Sequence, residues 1–144
     1  RAGAAIRGGV PVIFPQFGPG RIVKHGFART THWAIAAAET HGAVPEARLA
    51  LADDERTRAL WPHPFACLLR VSLDDGLRIA LEVTNTGDAP FAFTGALHAY
   101  FRVADVEQVT VHGLERLRFR DQLARVESTE GQAPLRIAGP VDRI

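Results

Sequence analysis

Two histidines and a group of cations are the residues of this sequence best suited to acid–base chemistry on an anionic ligand. His25 stands in a segment rich in Gly and Pro, together with Arg7, Lys24 and Arg29. His98 stands far along the chain, within a nearly unbroken apolar run. Histidine exchanges a proton near neutral pH, and arginine binds planar anionic groups through two parallel N–H donors. These residue types are able to transfer a proton and to bind an anion.

The segment from Arg7 to Arg29 is too irregular to be a regular core element. Its glycines allow positive φ, and its prolines fix φ and remove backbone donors. The sequence predicts a short, well-packed irregular path with one or two brief strands. Two interpretations remain open: a loop that binds an anionic, ring-shaped ligand, or a rigid corner between strands with solvated charges. The glycines are Gly8, Gly9, Gly18 and Gly20, and the prolines are Pro11, Pro15 and Pro19.

His98 lies in the middle of the run from Phe91 to Phe101, which reads as a strand. In a strand, Ala96 and Tyr100 share its face, and the small Ala96 leaves space over the strand beside the imidazole. A lone histidine in such a run is either a hydrogen-bonded core residue or a group that transfers protons. The sequence alone leaves both interpretations open.

Short strands separated by Gly, Asp and Pro turns predict the fold class. The strongest signal is a hairpin in which 65–74 and 77–85 alternate at period two around the turn Asp74-Asp75-Gly76. Weaker signals predict strands at 30–36, 47–52, 91–101 and 109–113, further strands within 117–137, and a helical turn at 53–60. No long helical period occurs. The pattern predicts an all-β, antiparallel β-sandwich.

Composition excludes several classes of function. The chain has 144 residues and a formal net charge of +1, which gives no global field to attract nucleic acid or an anionic membrane. No apolar run approaches the roughly 20 residues of a transmembrane helix, and no signal peptide is visible. No cluster of metal ligands occurs, and the lone Cys67 is expected to pack as a small apolar residue. Composition therefore favours a cytoplasmic protein without a metal site. A monomer and the lack of an organic cofactor are further expectations, which composition does not decide.

The ends of the chain carry motif-like sequence, and the chain contains no methionine. We expect residues 1–144 to be a single β-sandwich domain that forms the central part of a longer domain.

Five motifs, in order, resemble those of the hexose-6-phosphate mutarotases, the glucose-6-phosphate 1-epimerase branch of the aldose 1-epimerase superfamily. Together they span most of the chain, and the family's antiparallel galactose-mutarotase fold agrees with the strand pattern. The motifs are Ile6-Arg7-Gly8-Gly9-Val10-Pro11-Val12-Ile13-Phe14-Pro15-Gln16-Phe17-Gly18, His25-Gly26-Phe27-Ala28-Arg29, Leu97-His98-Ala99-Tyr100-Phe101-Arg102-Val103, Val109-Thr110-Val111-His112-Gly113-Leu114 and Val141-Asp142-Arg143-Ile144.

The resemblance implies an isomerase that interconverts the α and β anomers of a hexose 6-phosphate, glucose 6-phosphate above all, by acid–base ring opening and reclosure. It places His98 on the general acid and His25 on a second active-site histidine that hydrogen-bonds the sugar. It implies phosphate recognition by Arg7 and Arg29. Substrate contacts are further implied for Gln16, Phe17 and Asp142.

One part of the family's machinery is absent from this sequence. The family's general base is a glutamate in a later motif, and no glutamate of this chain stands in that motif. The missing base favours an alternative, a non-catalytic sugar- or sugar-phosphate-binding module on the same fold, whereas the presence of both His98 and His25 favours the mutarotase. A mutarotase for unphosphorylated sugars is a third possibility, against which Arg7 and Arg29 argue.

Overall fold

A computed structural model describes residues 8–41 and 43–144, with the side chain of His41 excluded. The chain divides into two compact units, Arg1–Tyr100 and Phe101–Ile144. The expectation of a single domain stays a prediction. The strands of the first unit are β1 (Val12–Ile13), β2 (Ala34–His41), β3 (Val44–Ala52), β4 (Phe65–Leu73), β5 (Leu77–Asn85) and β6 (Ala96–Leu97), with a 3-10 turn at Ala28–Thr30 and helix α1 at Glu55–Leu60.

A four-stranded antiparallel meander, β2-β3-β4-β5, forms the main sheet of the first unit. The hairpin β4–β5 confirms the prediction from period-two alternation, and Leu69 pairs with Leu81 at its centre. Strand β2 begins at Ala34 and not at Thr30 as predicted. The reason is local, because the hydroxyls of Thr30 and Thr31 donate to the Phe27 carbonyl and hold this stretch in a turn.

Helix α1 is a single short element closed at its N-terminus by a capping box. The Asp54 carboxylate accepts from the Thr57 N–H at 2.7 Å, and the Thr57 hydroxyl accepts from the Asp54 N–H at 2.8 Å. The neighbouring Asp53 carboxylate accepts from the Phe65 N–H at 2.8 Å and pairs with Arg58. These bonds fasten the helix to the start of β4.

Phe14 lies at the centre of the hydrophobic core. Its side chain is fully buried and makes edge contacts with four aromatic rings at centroid distances of 5.1–6.3 Å. These rings are Phe27, Trp61, Phe65 and Phe93. Because Phe14 follows β1 directly, the core holds the Gly- and Pro-rich segment against the main sheet.

The predicted strand 91–101 is wrong over most of its length, since only β6 is regular strand. Strand β6 pairs antiparallel with β1, and its register continues irregularly on both sides. The N–H groups of Thr94, His98 and Tyr100 donate to the carbonyls of Pro15, Pro11 and Gly9 at 2.9–3.0 Å. Proline has no N–H, so Pro11 and Pro15 accept hydrogen bonds from the 91–101 segment but cannot donate one to it. Regular strand pairing is therefore interrupted at these two positions.

The second unit contains β7 (Thr110–Val111), β8 (Arg118–Asp121), β9 (Val126–Thr129), β10 (Leu135–Arg136) and a 3-10 turn at Val106–Gln108. Strands β8 and β9 form a hairpin, and β7 pairs antiparallel with β10. Arg143 lies over the Phe119 ring and forms an ion pair with Glu130. The predicted all-β, antiparallel class is confirmed. Among the described residues, no helix is long and apolar enough to cross a membrane.

Candidate functional site

His25 is held by two reciprocal hydrogen bonds with Gly18. The His25 N–H donates to the Gly18 carbonyl at 3.0 Å, and the Gly18 N–H donates to His25 Nδ1 at 3.2 Å. Both residues have positive φ, +72° at Gly18 and +69° at His25. The left-handed conformation is uncommon for a non-glycine residue and needs support from its surroundings. The two bonds close the 18–25 loop and supply that support.

Gly26 fixes the far side of the same loop against β1. Its φ is +67°, and a Cβ at this position would overlap the backbone carbonyl of Phe14. The same carbonyl accepts from the N–H groups of Phe27 and Ala28 at 3.1 and 3.2 Å. His25 therefore sits one residue from a backbone junction that admits only glycine.

Gln16 braces the loop from inside. Its Nε2 donates to the carbonyls of Gly18 and Ile22 at 3.2 Å, and its Oε1 accepts from the Ile22 N–H at 3.3 Å. Both amide hydrogens are thus used within the loop. The expectation that Gln16 contacts a substrate stays a prediction. In the structure, the Gln16 side chain stabilises the loop.

His98 enters the same site from the extended segment after β6. Its ring is exposed and lies 6.2 Å from the His25 ring, centroid to centroid, and 4.9 Å from the Tyr100 ring. The contact with Tyr100 agrees with the predicted shared face. The Phe17 ring contacts His25 from another side at 5.2 Å, and its N–H donates to Thr94 Oγ1 at 2.8 Å. Two imidazoles from distant parts of the chain therefore stand side by side.

Arg29 adds a cation with an unfilled donor. One terminal nitrogen, Nη2, donates to the Lys24 carbonyl at 2.7 Å, which ties the guanidinium to the residue before His25. Its Nε is buried and has no hydrogen-bond partner among the described residues. Buried polar atoms in folded proteins are almost always hydrogen-bonded. An anion bound beside Arg29 would supply the missing acceptor.

The electrostatic environment keeps His25 neutral. Burial lowers the pKa of His25 below its ordinary 6.5, and the positive charges of Arg29 and Lys24 and the neighbouring His98 lower this pKa further. A neutral imidazole with one donor and one acceptor nitrogen is therefore the resting form of His25 near pH 7.

The structure brings together four of the seven predicted site residues: Phe17, His25, Arg29 and His98. Gln16 supports their loop. Arg7 lies outside the described residues. Asp142 lies in the second unit, where it is exposed and its carbonyl accepts from the Gln122 N–H at 2.7 Å. Sequence reasoning missed the Gly18 N–H, the Lys24 carbonyl and the Thr94 hydroxyl as supports.

Two other candidates do not belong to this site. Cys67 is buried, and burial raises the pKa of its thiol to about 12, so it stays protonated as the apolar interpretation predicts. An open cavity of about 420 Å³ adjoins the site, because Gln16 and Thr94 line it together with Trp61 and His63, whereas His25 and His98 are not among its lining residues. His63 packs its ring on Trp61 at 4.6 Å.

Comparison with known proteins adds an independent line of evidence. A family model described as aldose 1-epimerase matches residues 2–142. A protein of Cenchrus ciliaris named "Putative glucose-6-phosphate 1-epimerase" is 38% identical over a match of 151 residues. The match includes 97% of this chain and 46% of that protein. A Salmonella typhimurium protein of the same name is 39% identical over 117 residues, covering 79% of this chain and 38% of that protein.

Solved structures agree. A crystal structure from Salmonella typhimurium, described as "a putative mutarotase (YeaD)", matches with a TM-score of 0.87 at 35% identity, covering 99% of this chain and 48% of that one. A Synechocystis protein, Slr1438, matches with a TM-score of 0.85 at 24% identity and supports the fold alone, covering 97% of this chain and 52% of that one. The chain spans about half or less of the length of these relatives.

Proposed function

The chain belongs to the aldose 1-epimerase family, and from that membership we propose that the protein interconverts the α and β anomers of a hexose 6-phosphate, glucose 6-phosphate above all. The observation that carries this proposal is the pairing of His25 with His98 beside Arg29, whose buried Nε has no acceptor in the part of the chain that the structure describes. The His98 imidazole suits proton transfer at the anomeric centre, the His25 imidazole suits a hydrogen bond to the sugar, and the guanidinium suits a phosphate.

The reaction requires an acid and a base on the two sides of the C1–O5 bond. A base takes the proton of the C1 hydroxyl while an acid protonates the ring oxygen, so the C1–O5 bond breaks and C1 becomes an aldehyde. After rotation about C1–C2 the steps reverse, and O5 attacks the other face. We assign the acid to His98. A glutamate in the family's later motif supplies the base in this proposal.

The phosphate anchors the sugar away from the reacting bond. Binding energy from a remote anion orients C1 and O5 without changing during the reaction. Arg29 is suited to this role because the Lys24 carbonyl already holds its guanidinium in place. We assign Arg7 to the same phosphate, and Phe17 and Asp142 to contacts with the sugar.

The protein's setting follows from this substrate. A hexose 6-phosphate carries charge that prevents it from crossing membranes freely, which favours a cytoplasmic enzyme. Both histidines come from one chain, so a monomer suffices, and the acid–base chemistry calls for neither a metal nor nucleic acid.

Exchange NMR on equilibrated glucose 6-phosphate tests the proposal. The natural gene product should speed exchange between the two anomeric protons of glucose 6-phosphate and leave free glucose at its spontaneous rate. The non-catalytic alternative rests on the missing base, and it predicts line broadening from binding without faster exchange. Equal acceleration of both sugars would instead support a mutarotase for unphosphorylated sugars.

A further inference from the structure

We propose that the Gly18 N–H is a positioning group that holds His25 as its neutral Nε2–H tautomer, so that His25 donates a hydrogen bond to the sugar and never carries the transferred proton. This inference rests on the proposed function for the sugar contact, while the tautomer itself is a property of the free protein.

The first support is geometric. A neutral imidazole has one protonated and one unprotonated nitrogen, and the hydrogen-bond partner of each nitrogen decides which one carries the proton. The Gly18 N–H donates to His25 Nδ1 at 3.2 Å. A backbone N–H can only donate, so Nδ1 must carry the lone pair, and the ring proton belongs on Nε2.

Backbone contacts hold His25 and Gly18 in this arrangement. The same two residues make the bond from the His25 N–H to the Gly18 carbonyl at 3.0 Å. The Gln16 carboxamide holds the Gly18 carbonyl from inside the loop, and Gly26 locks the next peptide against Phe14. The ring cannot reverse its nitrogens without giving up the bond from a buried N–H.

The third support is electrostatic. Within residues 8–41 and 43–144, the charged or titratable groups that act on His25 are Arg29, Lys24 and His98, and each disfavours a second proton on the ring. A bound phosphate would offset part of that repulsion, but the Gly18 N–H would still oppose a proton on Nδ1. The two histidines therefore divide the work, with His98 moving the proton and His25 donating from Nε2.

Nitrogen NMR on protein labelled with ¹⁵N-histidine tests the tautomer without any turnover. We expect His25, assigned by its loss in His25→Asn, to show Nδ1 in the unprotonated range and Nε2 in the protonated range at pH 7. A protonated Nδ1, whether as the other tautomer or as imidazolium, would overturn the proposal even if the enzyme is active. The tautomer measurement therefore fails or succeeds separately from the proposed function.

A pair of variants tests the role in catalysis. The Gln amide reaches the position of Nε2 and can donate there without transferring a proton, whereas the Asn amide reaches only the position of Nδ1 and can accept from Gly18. We expect His25→Gln to keep anomer exchange within about tenfold of the natural protein, and His25→Asn to lose about 100-fold or more, as for a lost donor in an active site. Equal loss in both variants, each shown by its melting curve to be folded, would mean that a donor at the position of Nε2 does not sustain exchange and would overturn the proposal.

Discussion

His25 and His98 hold their ring centroids 6.2 Å apart with the ring planes tilted by 54°. One ring comes from a left-handed turn, and the other comes from the extended segment after β6. The bond from the His98 N–H to the Pro11 carbonyl fixes the second segment on the same stretch of chain that leads into the first. The two rings come together only when both segments are in place. Replacing either histidine is therefore a separate test of the site.

Replacing His98 with Ala should abolish most of the anomer exchange while leaving ligand binding intact. The side chain is exposed and its removal costs little packing, so the loss reports chemistry, and a general acid contributes about 10²- to 10⁴-fold. The rate of exchange of glucose 6-phosphate anomers and the ligand's line broadening measure the two effects. His32→Ala is the matched control, since His32 is an exposed histidine outside the paired rings and its removal should leave exchange unchanged. A His98→Ala protein with the natural rate would exclude His98 as the acid.

The sequence predicted the elements in which apolar and polar residues alternate along the chain. It missed the elements whose structure depends on a distant segment packed against them. The hairpin of β4 and β5 followed from alternation and its Asp-Gly turn. Strand 91–101 failed because an apolar run does not reveal that its partner carries Pro11 and Pro15, whose missing donors interrupt the ladder. The overlap of Gly26 with Phe14 and the bond from Gly18 to the His25 ring depend on tertiary positions. No local pattern contains them.

Replacing Arg29 with Ala should reduce the preference for phosphorylated over free sugar. Its guanidinium is positioned by the Lys24 carbonyl, and its buried Nε–H has no acceptor among residues 8–41 and 43–144, which suits a phosphate oxygen. We expect the apparent affinity for glucose 6-phosphate to fall by about 10- to 100-fold, as for a charge-assisted hydrogen bond worth roughly 1.5–3 kcal/mol.

Arg78→Ala is the control for this prediction. It removes the same charge from an exposed position of β5 and should leave the affinity unchanged. Equal affinities of the Arg29→Ala protein and the natural protein for glucose 6-phosphate would remove Arg29 from the phosphate site.

Replacing Gly26 with Ala should destabilise the protein and disturb the site together. The new Cβ would overlap the Phe14 carbonyl, and the φ of +67° adds strain for any non-glycine residue. We expect a loss of at least about 2 kcal/mol in the free energy of unfolding, measured by urea denaturation. Gly76→Ala is the control, because a Cβ there meets nothing within 4 Å and should change stability by less than about 1 kcal/mol. Equal stabilities of the two variants would contradict the close packing described for the junction.

The lowered pKa of His25 gives stability a defined pH dependence. Below pH 6.5 the unfolded chain binds a proton at this residue while the folded protein still keeps it neutral. The unfolded state therefore holds more protons, and the free energy of unfolding must fall as pH falls through this window and recover above it. The difference between the natural protein and His25→Asn from pH 5 to 7.5 isolates His25, and parallel curves would contradict the shift.

Lys24 tests the electrostatic part of that shift. Lys24→Gln removes one positive charge beside His25 but keeps the backbone carbonyl that holds Arg29. The pKa of His25, followed by NMR titration of its ring protons, should rise toward 6.5 without reaching it, because burial and Arg29 still lower it. Arg78→Gln changes the net charge equally from the main sheet and should leave the titration in place. If both variants moved the His25 pKa by the same amount, the effect would belong to net charge, and the local role of Lys24 would be wrong.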